Sequence, residues 1–283
     1  MDSLKRSPDR LFDGILLLSD LDGTLLNRKK TIPERNLEAI RRFTARGGRF
    51  TIATGRCPRS AERIAEAAGV NSPVVTLNGA VVYDFQADRA ASQVVLPSSY
   101  PEIVRRVHAA FPHIGVQVYI GSWIYVANTD PIVERLFRLE HTERYRRAVS
   151  MDALPAEANK VLFGGQNEEL QKVRAFLEGA LHGMYGMFTE DVYYELLPNH
   201  TNKGTGVRSV VEVCGVDPAN VAAVGDYYND VDMLKTVAYP IVAGNAPDDV
   251  KMFARFITGD CDDGVVADAI EHLEQRLTAY GRL

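Results

Sequence analysis

Short apolar runs alternate with longer amphipathic stretches along the first 84 residues. GILLLSD (14–20), RFTIATG (49–55) and PVVTLNG (73–79) are continuous enough to be strands buried on both faces, and each closes on a turn residue. Between the first two, TIPERNLEAIRRFTARGG (31–48) predicts a helix. Thr31 and Glu34 have capping-box spacing, Pro33 suits an early helical position, and Gly47 and Gly48 stop the helix. PRSAERIAEAAGV (58–70) predicts a second helix ending at Gly69. Strand, helix, strand, helix, strand implies parallel pairing through right-handed crossovers, the beginning of a doubly wound α/β sheet.

From about residue 85 the pattern changes. ASQVVLP predicts a strand, YPEIVRRVHAAF a helix, and GVQVYIGSWIYVAN a hairpin turning near Gly121 and Ser122. A helix in PIVERLFRLEH, a strand in KVLFGG, a helix in EELQKVRAFLEGAL and a strand pair in MYGMFTEDVYYELLP follow. Adjacent hairpins set between helices imply an antiparallel sheet covered on one face. After Pro198 the first rhythm returns through KGTGVRSVVEVCG, VAAVGD, NDVDMLKTV, YPIVAGN, APDDVKMFA, FITGD and GVVADAIEHLEQRL. The expected organisation is therefore one core, residues 1–84 and 198–283, mostly parallel and Rossmann-like, interrupted by an α+β unit at 85–197. No internal repeat or low-complexity tract is visible.

Composition narrows the function. A chain of 283 residues with 46% hydrophobic content can bury a sizeable core, and a formal charge of -5 gives no excess of positive charge for a nucleic acid. Cys57, Cys214 and Cys261 are odd in number and far apart, which argues against a disulfide framework or a cysteine metal site. The start, MDSLKRSPDRLFDG, lacks a secretory apolar stretch, and no run approaches the roughly 20 apolar residues of a membrane span. A cytoplasmic protein with no membrane partner, monomeric or homodimeric, is expected, its first ten residues loosely ordered.

In an open α/β sheet, ligands bind at the carboxyl ends of the strands. Four predicted strand ends carry polar residues: Asp20 and Asp22; Thr54, Gly55 and Arg56; Asn78 and Gly79; Asp226, Asn229 and Asp230. Lys203 opens a helix after the insertion. Singly, each has a plain explanation as a turn, a cap or a solvent-facing charge. Together, carboxylates gathered at one sheet edge raise one another's pKa unless a cation neutralises them, and hard divalent cations take oxygen ligands. A hydroxyl and an ammonium are the groups that hold a phosphoryl oxygen and offset charge developing during transfer. The set therefore suggests metal-assisted phosphoryl transfer.

DLDGTLL, TIATGR, TNKGTG and VGDYYNDVDML, in this order, resemble the four motifs of the haloacid dehalogenase-like superfamily of phosphohydrolases. LNGA (77–80) and AGNAPDDVK (243–251) resemble its Cof-type, or IIB, branch. That branch carries its cap between the second and third motifs, where the insertion lies, so the resemblance implies an α+β cap of type C2B that selects substrates.

It further implies that Asp20 attacks phosphorus to form an aspartyl-phosphate, and that Asp22 protonates the leaving oxygen and then activates water. Mg2+ would be bound by the Asp20 carboxylate, the Asp22 carbonyl and Asp226, leaving the Asp22 side chain free for proton transfer. Thr54, Gly55, Lys203 and Asn229 would hold the phosphoryl group, Asp230 would support them, and Arg56, Asn78 and Gly79 are weaker candidates for substrate contact. In the cap, His113, Trp123, Tyr125, Tyr193, Glu195 and His200 are candidates that core packing explains equally well.

Two departures stand out. Tyr227 and Tyr228 are bulky where many relatives have a small residue, and would either narrow the entrance or pack against the hinge or core. PNHTNKG lacks the glycine often found two residues before the lysine. The implied activity is a Mg2+-dependent phosphatase for small phosphorylated metabolites such as sugar phosphates or pyridoxal phosphate. A phosphotransferase or mutase on the same scaffold, and a sensor of a phosphorylated ligand, remain as alternatives.

Overall fold

The structure, a computed structural model, describes residues 7–283. Of the first ten residues, expected to be loosely ordered, 1–6 lie outside the described residues, and Pro8–Arg10 form an exposed 3-10 turn. The chain divides into two compact units. One comprises residues up to Arg56, Ala61–Ser92 and Asn202–Leu283; the other comprises Cys57–Ser60 and Gln93–Thr201.

In chain order the elements begin with β1 (Leu16–Ser19), α1 (Glu34–Ala45), β2 (Arg49–Ile52), α2 (Pro58–Ala67), β3 (Val74–Thr76), β4 (Val81–Asp84) and β5 (Arg89–Gln93). The insertion contributes α3 (Tyr100–Ala110), β6 (Gly115–Ile120), β7 (Trp123–Asn128), α4 (Pro131–Glu140), β8 (Arg146–Ala148), β9 (Lys160–Gly164), α5 (Asn167–Phe176), β10 (Met184–Glu190) and β11 (Tyr193–Pro198). Last come α6 (Lys203–Cys214), β12 (Val221–Gly225), α7 (Val231–Thr236), β13 (Tyr239–Val242), α8 (Asp248–Lys251), β14 (Phe256–Ile257) and α9 (Val265–Tyr280).

The first unit is built on a five-stranded sheet in the order β14-β13-β12-β1-β2, parallel throughout. All four residues of β1 are buried, as a continuous apolar run predicts for a central strand with both faces covered. Leu17 joins a core with Phe43, Ile241 and Leu273, while Leu16 and Leu18 pack with Val207, Ala223 and Met233. The third apolar run departs from expectation. β3 is linked to β2 through the single bridge Ala53↔Val75 and pairs antiparallel with β4 in a separate three-stranded sheet with β5. That pairing keeps residues 85–92 with the first unit, and the second division falls after Thr201.

Local signals explain some of the helix starts and not others. The capping box predicted at Thr31 and Glu34 does not form. Helix α1 starts at Glu34 with Pro33 as its uncapped N-terminal neighbour, because Asn27 Oδ1 takes both the amide and the hydroxyl of Thr31, each at 3.0 Å. A reciprocal box forms instead at α6, where the Asn202 side chain accepts from Thr205 N at 2.9 Å and Asn202 N donates to Thr205 Oγ1 at 3.0 Å. The N-terminus of α9 is capped from outside by Asn36 of α1, whose Oδ1 accepts from Ala267 N at 2.9 Å.

The inserted unit has a mixed sheet, β10-β11-β9-β6-β7-β8, antiparallel except where β7 meets β8. Val104 and Val107 of α3 and Leu170 and Val173 of α5 share a core with Val116, Phe163 and Leu196 of the sheet. Cys57, Cys214 and Cys261 are free thiols. Among the described residues, no helix is long and apolar enough to cross a membrane.

Candidate active site

The sequence places a carboxylate one residue beyond each of two neighbouring buried strands. Ser19 of β1 lies opposite Val224 of β12, and Asp20 N extends that ladder by donating to Val224 O at 2.8 Å. Asp226 follows the last residue of β12. Asp20, Asp226 and Asp230 each present a carboxylate oxygen within 4.8 Å of the others.

Lys203, the first residue of α6, enters this group fully buried. Its ammonium donates to Asp20 Oδ1, and to Asp230 Oδ1 at 2.6 Å. Burial works against the Lys203 charge, yet the attraction and hydrogen bonds of the two carboxylates hold its pKa above the ordinary lysine value. Asp230 uses its other oxygen to accept the amides of Asp226 and Tyr227 at 2.9 and 3.0 Å, which fixes the turn after β12. With both oxygens engaged, Asp230 is a brace for Lys203 and for this turn.

Asp20 and Asp226 are under strain of a different kind. Burial raises the Asp20 carboxyl well above the usual aspartate range; Lys203 pulls it down, and Asp230 and Asp226 push it further up. Burial likewise lifts Asp226 to about 6, against the hydrogen bond from Thr24. These are oxygen donors that lose proton affinity when a hard cation neutralises them, so the donor set fits a divalent ion such as Mg2+.

Thr24 and Asn245, to which the sequence reading gave no role, position Asp226. Thr24 Oγ1 donates to Asp226 Oδ1 at 2.7 Å, and Asn245 Nδ2 reaches both Gly23 O at 2.9 Å and Asp226 Oδ2 at 3.3 Å. Their signals lay in DLDGTLL and AGNAPDDVK. Gly23 has a φ of +88°, and a Cβ there would lie 2.5 Å from Asp226 Oδ2, so the close approach requires glycine.

The Asp22 side chain, expected to carry the proton transfer, is held by two cations. Arg56 grips it with two bonds, Nε to Oδ2 at 2.9 Å and a terminal nitrogen to Oδ1 at 2.7 Å, and Lys30 Nζ donates to Oδ1 at 2.7 Å. Burial opposes ionisation, but the hydrogen bonds and charge of Arg56, with Lys30 second, bring the Asp22 carboxyl down to about 2. Arg56, expected as a substrate contact, thus acts on Asp22.

The remaining candidates gather around the end of β2. Thr54 is buried, donates its amide to Val75 O at 2.8 Å and accepts Arg56 N on its hydroxyl at 3.1 Å. Gly55 leaves room for the Asn78 carboxamide, which a Cβ would approach to 3.1 Å. Asn78 is itself buried with neither amide atom hydrogen-bonded among the described residues, and Leu77 and Asn78 both hold positive φ. Gly79, at φ +94°, sits where a Cβ would overlap the Asn202 carbonyl. Asn229 is half-buried on the turn that carries Asp230. Tyr227 and Tyr228 are more than half exposed and meet edge to face, with ring centroids 4.9 Å apart, so they do not pack into the core.

Comparison with known proteins finds relatives that span most of the chain. A chloroplastic endoribonuclease YBEY of Arabidopsis thaliana is 28% identical over 269 residues, covering 90% of this chain but 45% of that protein's length. An HMP-PP phosphatase of Serratia proteamaculans is 28% identical over 261 residues, covering 89% of this chain and 93% of that protein. The crystal structure of a haloacid dehalogenase-like hydrolase from Bacteroides thetaiotaomicron, 28% identical, superposes with a TM-score of 0.83 over 93% of this chain and 99% of that one. The family model for haloacid dehalogenase-like hydrolases matches residues 17–270, and the chain belongs to this family of hydrolases, in the Cof-type branch whose motifs it carries.

Proposed function

We propose that the protein is a Mg2+-dependent phosphatase of small phosphorylated metabolites. The observation that carries this reading is the buried carboxylate Asp20, held at the end of the central strand by Lys203 and faced by Asp226. The match to a relative named as an HMP-PP phosphatase supports the same class of substrate. Asp20 attacks phosphorus: the Asp20 oxygen–phosphorus bond forms and the bond to the leaving alkoxide breaks. Water then attacks the aspartyl-phosphate, releasing inorganic phosphate and restoring Asp20.

Asp22 serves the second step in its resting state, because a carboxylate held ionised by Arg56 and Lys30 is ready to take the proton of that water. To protonate the leaving oxygen in the first step, Asp22 must first carry a proton, which requires Arg56 and Lys30 to loosen their hold. Lys203 and Thr54 hold the transferred group, Gly55 and Asn229 line its cradle, and Asp230 keeps Lys203 in place. The metal would be held by the carboxylates of Asp20 and Asp226 and the Asp22 carbonyl. Bound there, it offsets the negative charge of the phosphoryl oxygens.

Protein incubated with Mg2+ and an aryl phosphate is expected to release inorganic phosphate, and Asp20→Asn to abolish the release. Activity retained in that variant would remove Asp20 from the nucleophile's role. Asp22→Asn is expected to form phosphoenzyme and break it down slowly; equal trapped phosphoenzyme in both variants would count against the division of roles.

A further inference from the structure

One surface segment of the first unit has its exposed side chains ordered by kind. Residues 248–257, DDVKMFARFI, run through α8, a short turn and the edge strand β14. Val250 is buried with Leu234, Val242 and Ala246, which anchors α8 to the core. Phe256 lies flat on the His272 ring of α9, with centroids 3.8 Å apart and planes 6° from parallel. The apolar side chains that stay outside are Met252, 83% exposed, Ile257, 46%, and Phe253, 36%. β14 ends the five-stranded sheet, so its outer edge has no strand beside it among the described residues. Three large apolar side chains within six positions, next to an open strand edge, are a surface suited to association.

The charges around this patch are of both signs. Asp249 stands three positions before Met252 and Arg255 three positions after it, and both are exposed. Lys251 is paired with Asp248 at 3.4 Å, but neither Asp249 nor Arg255 has an ion-pair partner among the described residues. Asp249 Oδ1 accepts the Tyr228 hydroxyl at 3.3 Å, and the Arg255 guanidinium stands 5.7 Å from the Tyr239 ring. Each therefore keeps an unneutralised charge at the surface.

The order of the charges selects the partner. An acidic partner laid along the segment would be repelled by Asp248 and Asp249, and a basic one by Arg255. A second copy laid antiparallel meets neither conflict. About a two-fold axis through Met252, Asp249 of each copy faces Arg255 of the other, and the exposed apolar side chains cover one another in between. Such a contact closes at two chains, whereas copies stacked in the same direction would set acid against acid. We propose that residues 248–257 form the interface of a homodimer, with Met252 at its axis and two reciprocal Asp249–Arg255 pairs at its rim.

Sedimentation equilibrium over a loading range of about 1–300 µM tests the interface. The wild type is expected to move from the 31.3 kDa of one chain toward twice that mass as concentration rises. Met252→Asp is expected to remain monomeric throughout. Arg255→Asp and Asp249→Arg are each expected to raise the dimer dissociation constant about tenfold or more, and the double variant to return to within about threefold of the wild type. A wild type that stays monomeric across the range overturns the proposal and leaves the patch to a partner of different chemistry. A dimer that survives Met252→Asp places the interface elsewhere and overturns it equally. Two weakened single variants whose combination recovers nothing would overturn the antiparallel pairing.

Discussion

Two buried lysines, one in each unit, solve the same problem differently. Lys203 in the core and Lys160 in the inserted sheet are both nearly inaccessible, and both donate to carboxylates. Around Lys203 the supporting group is fully engaged: Asp230 uses one oxygen for the lysine and the other for two backbone amides, and Asp226 is held by Thr24 and Asn245. In the inserted sheet, Gln117 Nε2 and Glu195 Oε2 have no hydrogen-bond partner among the described residues. A satisfied network fixes a geometry, whereas an unsatisfied one carries a cost. The lysine in the core is thereby fixed against a fully engaged carboxylate, while the one in the inserted sheet is fixed against a carboxylate engaged on one oxygen.

The sharpest break of this comparison comes from removing each lysine. Lys203→Met is expected to destabilise the protein by about 3–5 kcal/mol in chelator, measured by urea unfolding, because it strands several carboxylates in a buried site. Adding Asp20→Leu should recover little, since Asp226 and Asp230 remain. Lys160→Met is expected to cost about 3 kcal/mol, and Lys160→Met/Glu195→Leu to recover most of it, as apolar replacement of a buried pair is often neutral. Equal recovery in both double variants would erase the distinction.

Smaller effects sharpen it. Asn202→Ala, which removes the box that presents Lys203 at the start of α6, is expected to cost about 1 kcal/mol by the same unfolding measurement. Arg56→Met should change mainly the acid limb. Asp22 is held at about 2 by Arg56 and Lys30, below the ordinary aspartate value. A depressed carboxylate contributes stability above its unfolded pKa of about 3.9 and loses it as pH falls toward the folded value. The wild type should therefore lose more stability than Arg56→Met between pH 4.5 and 3, read as the shift in urea midpoint. The Asp22 side chain is 36% exposed, so this is the smallest of the expected effects.

Much of the core was legible because its chemistry sits in short contiguous motifs at strand ends. Asp20, Lys203, Asp226 and Asp230 meet because β1 and β12 are parallel neighbours, which strand–helix alternation implies. Thr24 and Asn245 were within reach of the same motifs, but their role depends on a side chain some two hundred residues away or on a loop carbonyl, which spacing does not encode. The Thr31 box failed because the helix starts beyond it, at Glu34, and the Thr31 amide that Glu34 would have accepted is given to Asn27 instead. In the inserted unit, Glu195 stands out in the sequence, whereas Gln117 and Lys160 do not. Their partnership arises from register between strands β6, β9 and β11, and alternation within one strand cannot reveal which residues lie opposite in the next.

The place of β1 in the sheet has a consequence for biosynthesis. Its neighbour β2 follows within a few dozen residues, but the strand on its other edge, β12, and the lysine that meets Asp20 are encoded beyond the insertion; the bond between Thr24 and Asp226 spans 202 positions. At about 5–20 residues per second, a ribosome needs roughly 10–40 s to deliver that second half. During this interval the strand that carries Asp20 lacks both its neighbour on one edge and the lysine that meets its carboxylate.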